Sequence, residues 1–247
     1  MAQRMKLVIA YDGAPFAGWQ SQLHGNTIQD RLEEALRRIT GERPRVQGAG
    51  RTDTGVHALG QCAHLDLDTA RFTPQQLQMA LNAVLPPAIR IMRCQSVAGT
   101  FHARFAATAK VYRYRLWNGP VLPPTEFGRA WHISQPLDFA LMCVAASKFV
   151  GRHDFTSFTA NRGKPSRDTV RTLQVVRPHR RGHCLTIEFV GDGFLYKMVR
   201  MMAGAIVATG QGKFGLLEIA ERLRPGGRRR PNMVAPAAGL FLIRVRY

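Results

Sequence analysis

The feature that most restricts the fold is an order of hydrophobic periods that runs through the chain twice. MKLVIAY, Met5–Tyr11, reads as a strand ending at the turn Asp12-Gly13. NTIQDRLEEALRRIT reads as a helix: Asn26 is the expected N-cap, with Gln29 three residues on, and Ile28, Leu32, Ala35, Leu36 and Ile39 share one face. A strand near Pro44–Gly48, a second over Gly60–Leu67, a helix from Thr73 to Val84 and a strand through Ile89–Val97 complete the order βαββαβ. The second half repeats it with longer insertions. Strands are expected at Lys110–Trp117, Thr169–Val176, His183–Val190 and Gly239–Tyr247, and helices at Leu137–Val150 and Phe194–Thr209. The fold class that follows is α+β: two tandem ferredoxin-like halves joined through antiparallel sheets, with a cleft between them. The halves would span residues 1–104 and 105–247, their boundary near residues 100 to 108. Loops at Asn118–Arg129 and Asn161–Asp168 would overhang the cleft.

Charge says what such a cleft would attract. The chain has 247 residues, with 35 Lys and Arg against 16 Asp and Glu, a formal charge of +19 that exceeds what solubility requires and predicts a polyanionic partner. Arg162, Lys164, Arg167, Arg171, Arg177, Arg180 and Arg181 cluster against Asp168 alone, and Arg228, Arg229 and Arg230 add a second run. A single cluster of this kind can be no more than a solvated face, but the total makes nucleic acid the better reading. Cys62, Cys94, Cys143 and Cys184 form no C-x-x-C pair, so neither a zinc site nor a disulfide framework is indicated. MAQRMKLVIAYDG holds too short an apolar run for a signal segment, and no apolar stretch is long enough to span a bilayer. A cytoplasmic protein without a membrane partner is the expectation.

Residues 48 to 57, GAGRTDTGVH, set an aspartate in a glycine-bracketed turn of a chain short in acid. A phosphate cradle is excluded, because Val56 and His57 stand where a P-loop needs Lys and Ser or Thr. A dinucleotide fingerprint is excluded too, because Asp53 would oppose a pyrophosphate where that motif has its third glycine. The stretch Gly210-Gln-Gly-Lys-Phe-Gly215 matches G-x-G-x-x-G, but it follows a helix and reads as a helix C-cap and turn. The loop is therefore built to present Asp53. A turn aspartate often does no more than bond its own backbone. Here Arg51 and the positive field favour the carboxylate form, which is the nucleophilic one. The nearest acids in sequence, Glu42, Asp66 and Asp68, are too far along the chain to suggest a two-carboxylate glycosidase or a two-metal nuclease.

GAGRTDTGVHALGQ resembles the signature of the tRNA pseudouridine synthase A family. So, in order and spacing, do YDGAPFAGWQ, FHARFAATAKVYRY, HDFTSF, GFLYKMVR and APAAGLFL. The resemblance covers essentially the whole chain. It departs at Thr54, where the family commonly has Ala. It implies that Asp53 is the catalytic residue that breaks the uridine N-glycosidic bond, and that Tyr112 packs on the target uracil. It implies that Arg200 pairs with Asp53, that Leu240 supplies an apolar wall, and that Arg51 occupies the place of the extruded uridine. Tyr114, two residues from Tyr112 on the same strand face, reads as an ordinary core aromatic. Base flipping must precede the chemistry, because a duplex hides the reacting atoms.

Three uses of one carboxylate fit these residues: attack at C1′, attack on the uracil ring, or removal of a sugar proton. The uracil is cut from C1′, turned in the pocket and rejoined through C5, so no cofactor, no external reactant and no catalytic metal is expected. The resemblance also implies tRNA as partner, its anticodon stem-loop as target, and a homodimer. A non-enzymatic RNA-binding protein or tRNA chaperone would account for the charge and the fold but leave GRTDTGVH unexplained. A metal-dependent nuclease would require more carboxylates near Asp53.

Overall fold

The computed structural model describes residues 3–23, 25–67, 72–160, 168–224 and 234–247. The chain is α+β and divides into two compact units, Met1–Thr108 with Leu242–Tyr247, and Ala109–Phe241.

The first unit opens with β1 (Gln3–Tyr11), followed by α1 (Ile28–Thr40), β2 (Gln47–Gly48), β3 (His57–Leu67), α2 (Pro74–Val84) and β4 (Ile89–Val97). β1 pairs antiparallel with β3 on one edge and β4 on the other, and β2 pairs antiparallel with β3. The order β4-β1-β3-β2 is that of a split βαβ, ferredoxin-like unit. Strand and helix periods meet in one core: Met5, Leu7 and Ile9 alternate into it, and Ile28, Leu32 and Leu36 of α1 and Leu77 and Leu81 of α2 are fully buried.

Two local expectations are corrected here. The cap of α1 is Thr27, not Asn26: Thr27 accepts from the Asp30 N–H, and the Asp30 carboxylate accepts from the Thr27 N–H, closing a capping box. Asn26 sits one residue outside in a left-handed conformation, φ 58°, with its amide donating to the Pro15 carbonyl. The strand expected near Pro44–Gly48 is two residues long, since Pro44 has no N–H to give a ladder.

The second unit runs β5 (Ala109–Asn118), β6 (Trp131–Ile133), α3 (Phe139–Ser147), β7 (Gly151–Asp154), β8 (Val170–Arg181), β9 (Cys184–Gly191), α4 (Met198–Gly210) and α5 (Leu216–Arg222). β5, β9, β8 and β7 pair antiparallel in that order, and β6 lies parallel on β5. β6, β7 and α5 were not foreseen; they are three to seven residues long, too short to show a period. α3 is shorter than the apolar run around it. α4 begins at Met198 and not at Phe194, because Lys197 adopts φ 59°, which an α-helix cannot include. Every residue of α4 except Arg200 is buried. Gly210 ends that helix and Gly212 turns the chain at φ 72°, so the stretch Gly210–Gly215 is a helix end and turn.

The closing strand β10 (Leu240–Arg246) crosses the division, and its residues from Leu242 onward count with the first unit. There β10 neighbours β3, with Gly60 so close that a Cβ would stand 2.5 Å from the Ile243 carbonyl oxygen. The Thr108 N–H donates to the Arg246 carbonyl, and the Tyr247 hydroxyl to that of Ala103. Among the described residues no helix is long and apolar enough to cross a membrane. The run Arg228–Arg230 and the loop residues 161–167 lie outside the described residues.

Candidate active site

The loop that carries Asp53 leaves the first unit's sheet between β2 and β3, and its backbone is held from several sides. The Val56 N–H donates to the Asp53 carbonyl at 3.1 Å, and Gly55 takes φ 77°, so residues 53–56 form a turn with the positive φ at its third position that type II geometry requires. Beneath it lies YDGAPFAGWQ. Gly18, at φ 92°, presses on this loop: a Cβ there would be 2.8 Å from the Thr52 carbonyl oxygen and 3.2 Å from the Asp53 carbonyl carbon. The next residue, Trp19, donates its N–H to that same Thr52 carbonyl at 3.1 Å. The Trp19 indole in turn covers Gly48, where a Cβ would stand 2.5 Å from the ring. Gly13 packs on the other end of the turn, with room for no Cβ against the Val56 carbonyl, and its N–H donates to His57 Nδ1 at 3.1 Å.

Side chains complete the support. The Tyr11 hydroxyl and Thr52 Oγ1 are 2.8 Å apart, both buried, and Gln61 Nε2 donates to the Gly50 carbonyl at 2.8 Å. Burial pushes the Tyr11 hydroxyl up to about 12, against the opposing hydrogen bonds to Thr52 and Gln61, so it stays a neutral phenol throughout the working range of an enzyme. Along the turn exposure alternates: Arg51 is exposed, Thr52 buried, Asp53 half-buried and Thr54 exposed. The structure thus brings Arg51 and Asp53 together on one rigid turn, and the Thr54 hydroxyl stands at the surface.

The other residues singled out in the sequence belong to the second unit. Tyr112 is buried on β5 and meets the Phe194 ring edge-on at 5.1 Å. Arg200, the half-buried residue of α4, donates Nε–H to the Ala235 carbonyl at 2.7 Å, and the Ala235 N–H donates back to the Arg200 carbonyl at 3.1 Å. The segment so held leads through a short 3-10 turn, Ala237–Gly239, into Leu240, which is buried at the start of β10. Tyr114 is a core aromatic, as expected, with a further contact that holds this segment. It is fully buried, yet its hydroxyl donates to the Pro236 carbonyl at 2.8 Å, and its ring lies over Gly239, where a Cβ would come within 2.8 Å. Burial raises its ionisation well above the ordinary tyrosine value, with the Arg200 charge pulling the other way. The signal for this role was the hydroxyl itself, since a buried tyrosine must find a partner for it. For Gly18 and Trp19 the signal was the quoted segment YDGAPFAGWQ, which had no role assigned to it.

The four cysteines are free thiols, and among the described residues no three His, Cys, Asp or Glu side chains are grouped to hold a metal ion.

A family model described as tRNA pseudouridine synthase matches residues 7–106 and 145–247. A tRNA pseudouridine synthase A of Akkermansia muciniphila is 43% identical over 251 aligned residues, covering 99% of this chain and 95% of that protein. One of Acetivibrio thermocellus is 40% identical, over 99% of this chain and 100% of its own length. Another, of Methylacidiphilum infernorum, is 41% identical, with coverages of 98% and 94%.

Proposed function

The chain belongs to the tRNA pseudouridine synthase family and is by that membership an isomerase that forms pseudouridine in tRNA, and from this premise we propose that Asp53 is its reacting group. The observation that carries the reading is the turn itself. Its backbone is fixed by Gly13, Gly18, Trp19 and the Tyr11–Thr52 pair, while the half-buried carboxylate of Asp53 is what the turn holds out. A preorganised reactive group of this kind loses little freedom when substrate arrives.

In the proposed reaction a uridine of the anticodon stem-loop leaves the stack and Arg51 takes its place. The C1′–N1 bond breaks, the freed uracil turns, and C1′ bonds to C5. The proton displaced from C5 goes to solvent through a general base, and N1 takes up a proton, so atoms balance without an external reactant. Tyr112 packs on the uracil, Leu240 walls the pocket, and Arg200 pairs with Asp53. Basic side chains outside the pocket hold the RNA backbone. A homodimer acting in the cytoplasm completes the proposal.

The test uses tRNA tritiated at uridine C5, mixed with wild-type protein and with Asp53→Asn in the presence of a chelator. Release by wild type alone, with tRNA binding retained in Asp53→Asn, is the expected result. Multiple turnover by a clean Asp53→Asn preparation would reject Asp53 as the reacting group. A protein that binds tRNA and releases no tritium would be the RNA-binding alternative.

A further inference from the structure

The sheet of the first unit has a second face, opposite the one on which Met5, Leu7 and Ile9 are buried. On it, cross-strand neighbours from β1, β3 and β4 line up as Lys6, His64 and Gln95, and as Val8, Cys62 and Arg93. A cavity of about 250 Å³ opens there, bounded by Lys6, Val8, Leu59, Arg93, Arg244 and Tyr247 among others. Three of its lining residues are cations and none is an acid. The nearby carboxylate, Asp66, is engaged by Arg4 in a two-pronged ion pair at 2.7 Å, so it does not neutralise the cavity.

Rings continue the surface from the cavity rim. Lys6 Nζ stands 3.8 Å from the Tyr247 ring centroid and 4.9 Å from that of Phe101. Phe101 and Tyr247 lie 5.0 Å apart, His64 and His102 4.6 Å, and His102 and Phe105 4.3 Å at 33°. The series ends in Phe105, which is 77% exposed with the Arg104 guanidinium 5.7 Å from its ring. A large aromatic left this open, with one guanidinium near its ring and backed by a second ring, is what a stacked base requires, and a cationic hollow on the same sheet face is what a phosphate requires.

We infer that this face is an accessory RNA-binding surface, its cavity bounded by no residue of the Asp53 turn: Phe105 stacks an unpaired base of the tRNA, and Arg93 and Arg244 take phosphates of the same backbone. RNA is favoured over an apolar partner because the hollow's lining is cationic without an acid and Asp66 is already paired with Arg4. The inference rests on the reading that tRNA is the substrate, and the two are tested separately: tritium release by wild type decides that reading, and equilibrium binding decides this one.

An unmodified tRNA transcript is titrated with wild type, with Phe105→Ala and with the double variant Arg93→Gln/Arg244→Gln across a salt series. Loss of two phosphate contacts in the double variant lowers the magnitude of the slope of log K against log salt by roughly 1.4 to 1.8. Phe105→Ala weakens binding roughly 5- to 150-fold at fixed salt and keeps the slope. Unchanged affinity and slope in both variants would overturn the inference. So would a fall in mass by light scattering that accompanies the weakened binding, because a second copy of the chain, and not RNA, would then cover this face.

Discussion

The loop of Asp53 and the segment that leads to Leu240 present functional residues by opposite means. In the first unit much of the support is close approach at glycine: Gly13 and Gly18 touch the backbone of the turn where no side chain fits, and Gly48 lies under the Trp19 indole, with the Tyr11–Thr52 and Gln61–Gly50 hydrogen bonds beside them. In the segment before Leu240, Gly239 is pressed in the same way, against the Arg115 carbonyl and the Tyr114 ring. The rest of the support is side chain to carbonyl, from Tyr114 to Pro236 and from Arg200 to Ala235. A turn held by close approach tolerates no added atom, whereas a segment held by donors tolerates no lost one. Rigidity at a reacting carboxylate is reached by the first route, and a wall that must meet the substrate by the second.

Gly13→Ala is the largest way to break that contrast. A methyl group directed at the Val56 carbonyl must push the turn away, and we expect a loss of about 3 kcal/mol or more in stability, with turnover falling further than stability alone explains. Urea unfolding and tritium release together check it, and a fully active Gly13→Ala protein would show that the turn is not clamped there. The paired hydroxyl deletions come next. Tyr114→Phe leaves the Pro236 carbonyl without its donor and should cost about 1–3 kcal/mol, whereas Tyr11→Phe removes one hydrogen bond from a turn with other supports and should cost about 0.5–1.5 kcal/mol. The reverse ranking, measured by denaturant midpoint, would mean that side chains hold the first unit more than its glycines do.

The smallest effect is on pH. Burial holds His64 below the ordinary histidine value, the charges of His102 and Arg4 add to this, and Asp66 opposes it. The unfolded chain, titrating near 6.5, then binds the proton more readily than the folded one. Stability contributed by neutral His64 is full above that pH and declines as pH falls toward the folded value. Melting temperatures at about pH 8 and about pH 5 should differ less in His64→Gln than in wild type; equal differences would assign the acid sensitivity elsewhere.

Legibility in the sequence followed the same division. Strands β1 and β4 and helix α2 were readable almost to the residue, because alternation and a 3.6 period are written wherever one face is buried. What failed was local. Asn26 and Thr27 both have capping side chains, and the left-handed backbone that Asn26 takes after Gly25, which is itself at φ 64°, decides between them. Nothing in Phe194–Lys197 distinguishes an apolar turn from the first turn of a helix, and Lys197 decides it through its own φ. Tyr112, Arg200 and Leu240 were named from motif resemblance, whereas Asp53 and its neighbour Arg51 were also legible in the loop itself; the physical reading alone reached an RNA-binding protein with a loop-borne aspartate. Tyr114 and Gly18 were passed over, because a hydrogen bond to a carbonyl more than a hundred residues away and a missing methyl group leave no periodic trace.

The placement of Leu242–Tyr247 with the first unit bears on how the molecule comes into being. A ribosome finishes Thr108 long before it reaches Leu242, and at about 5–20 residues per second the early unit waits roughly 7 to 27 seconds with one edge of β3 lacking its late neighbour. An open strand edge is a template for pairing with another chain. Nascent protein is therefore most exposed to misassembly in that interval, which closes when Leu242–Tyr247 emerge and take their place.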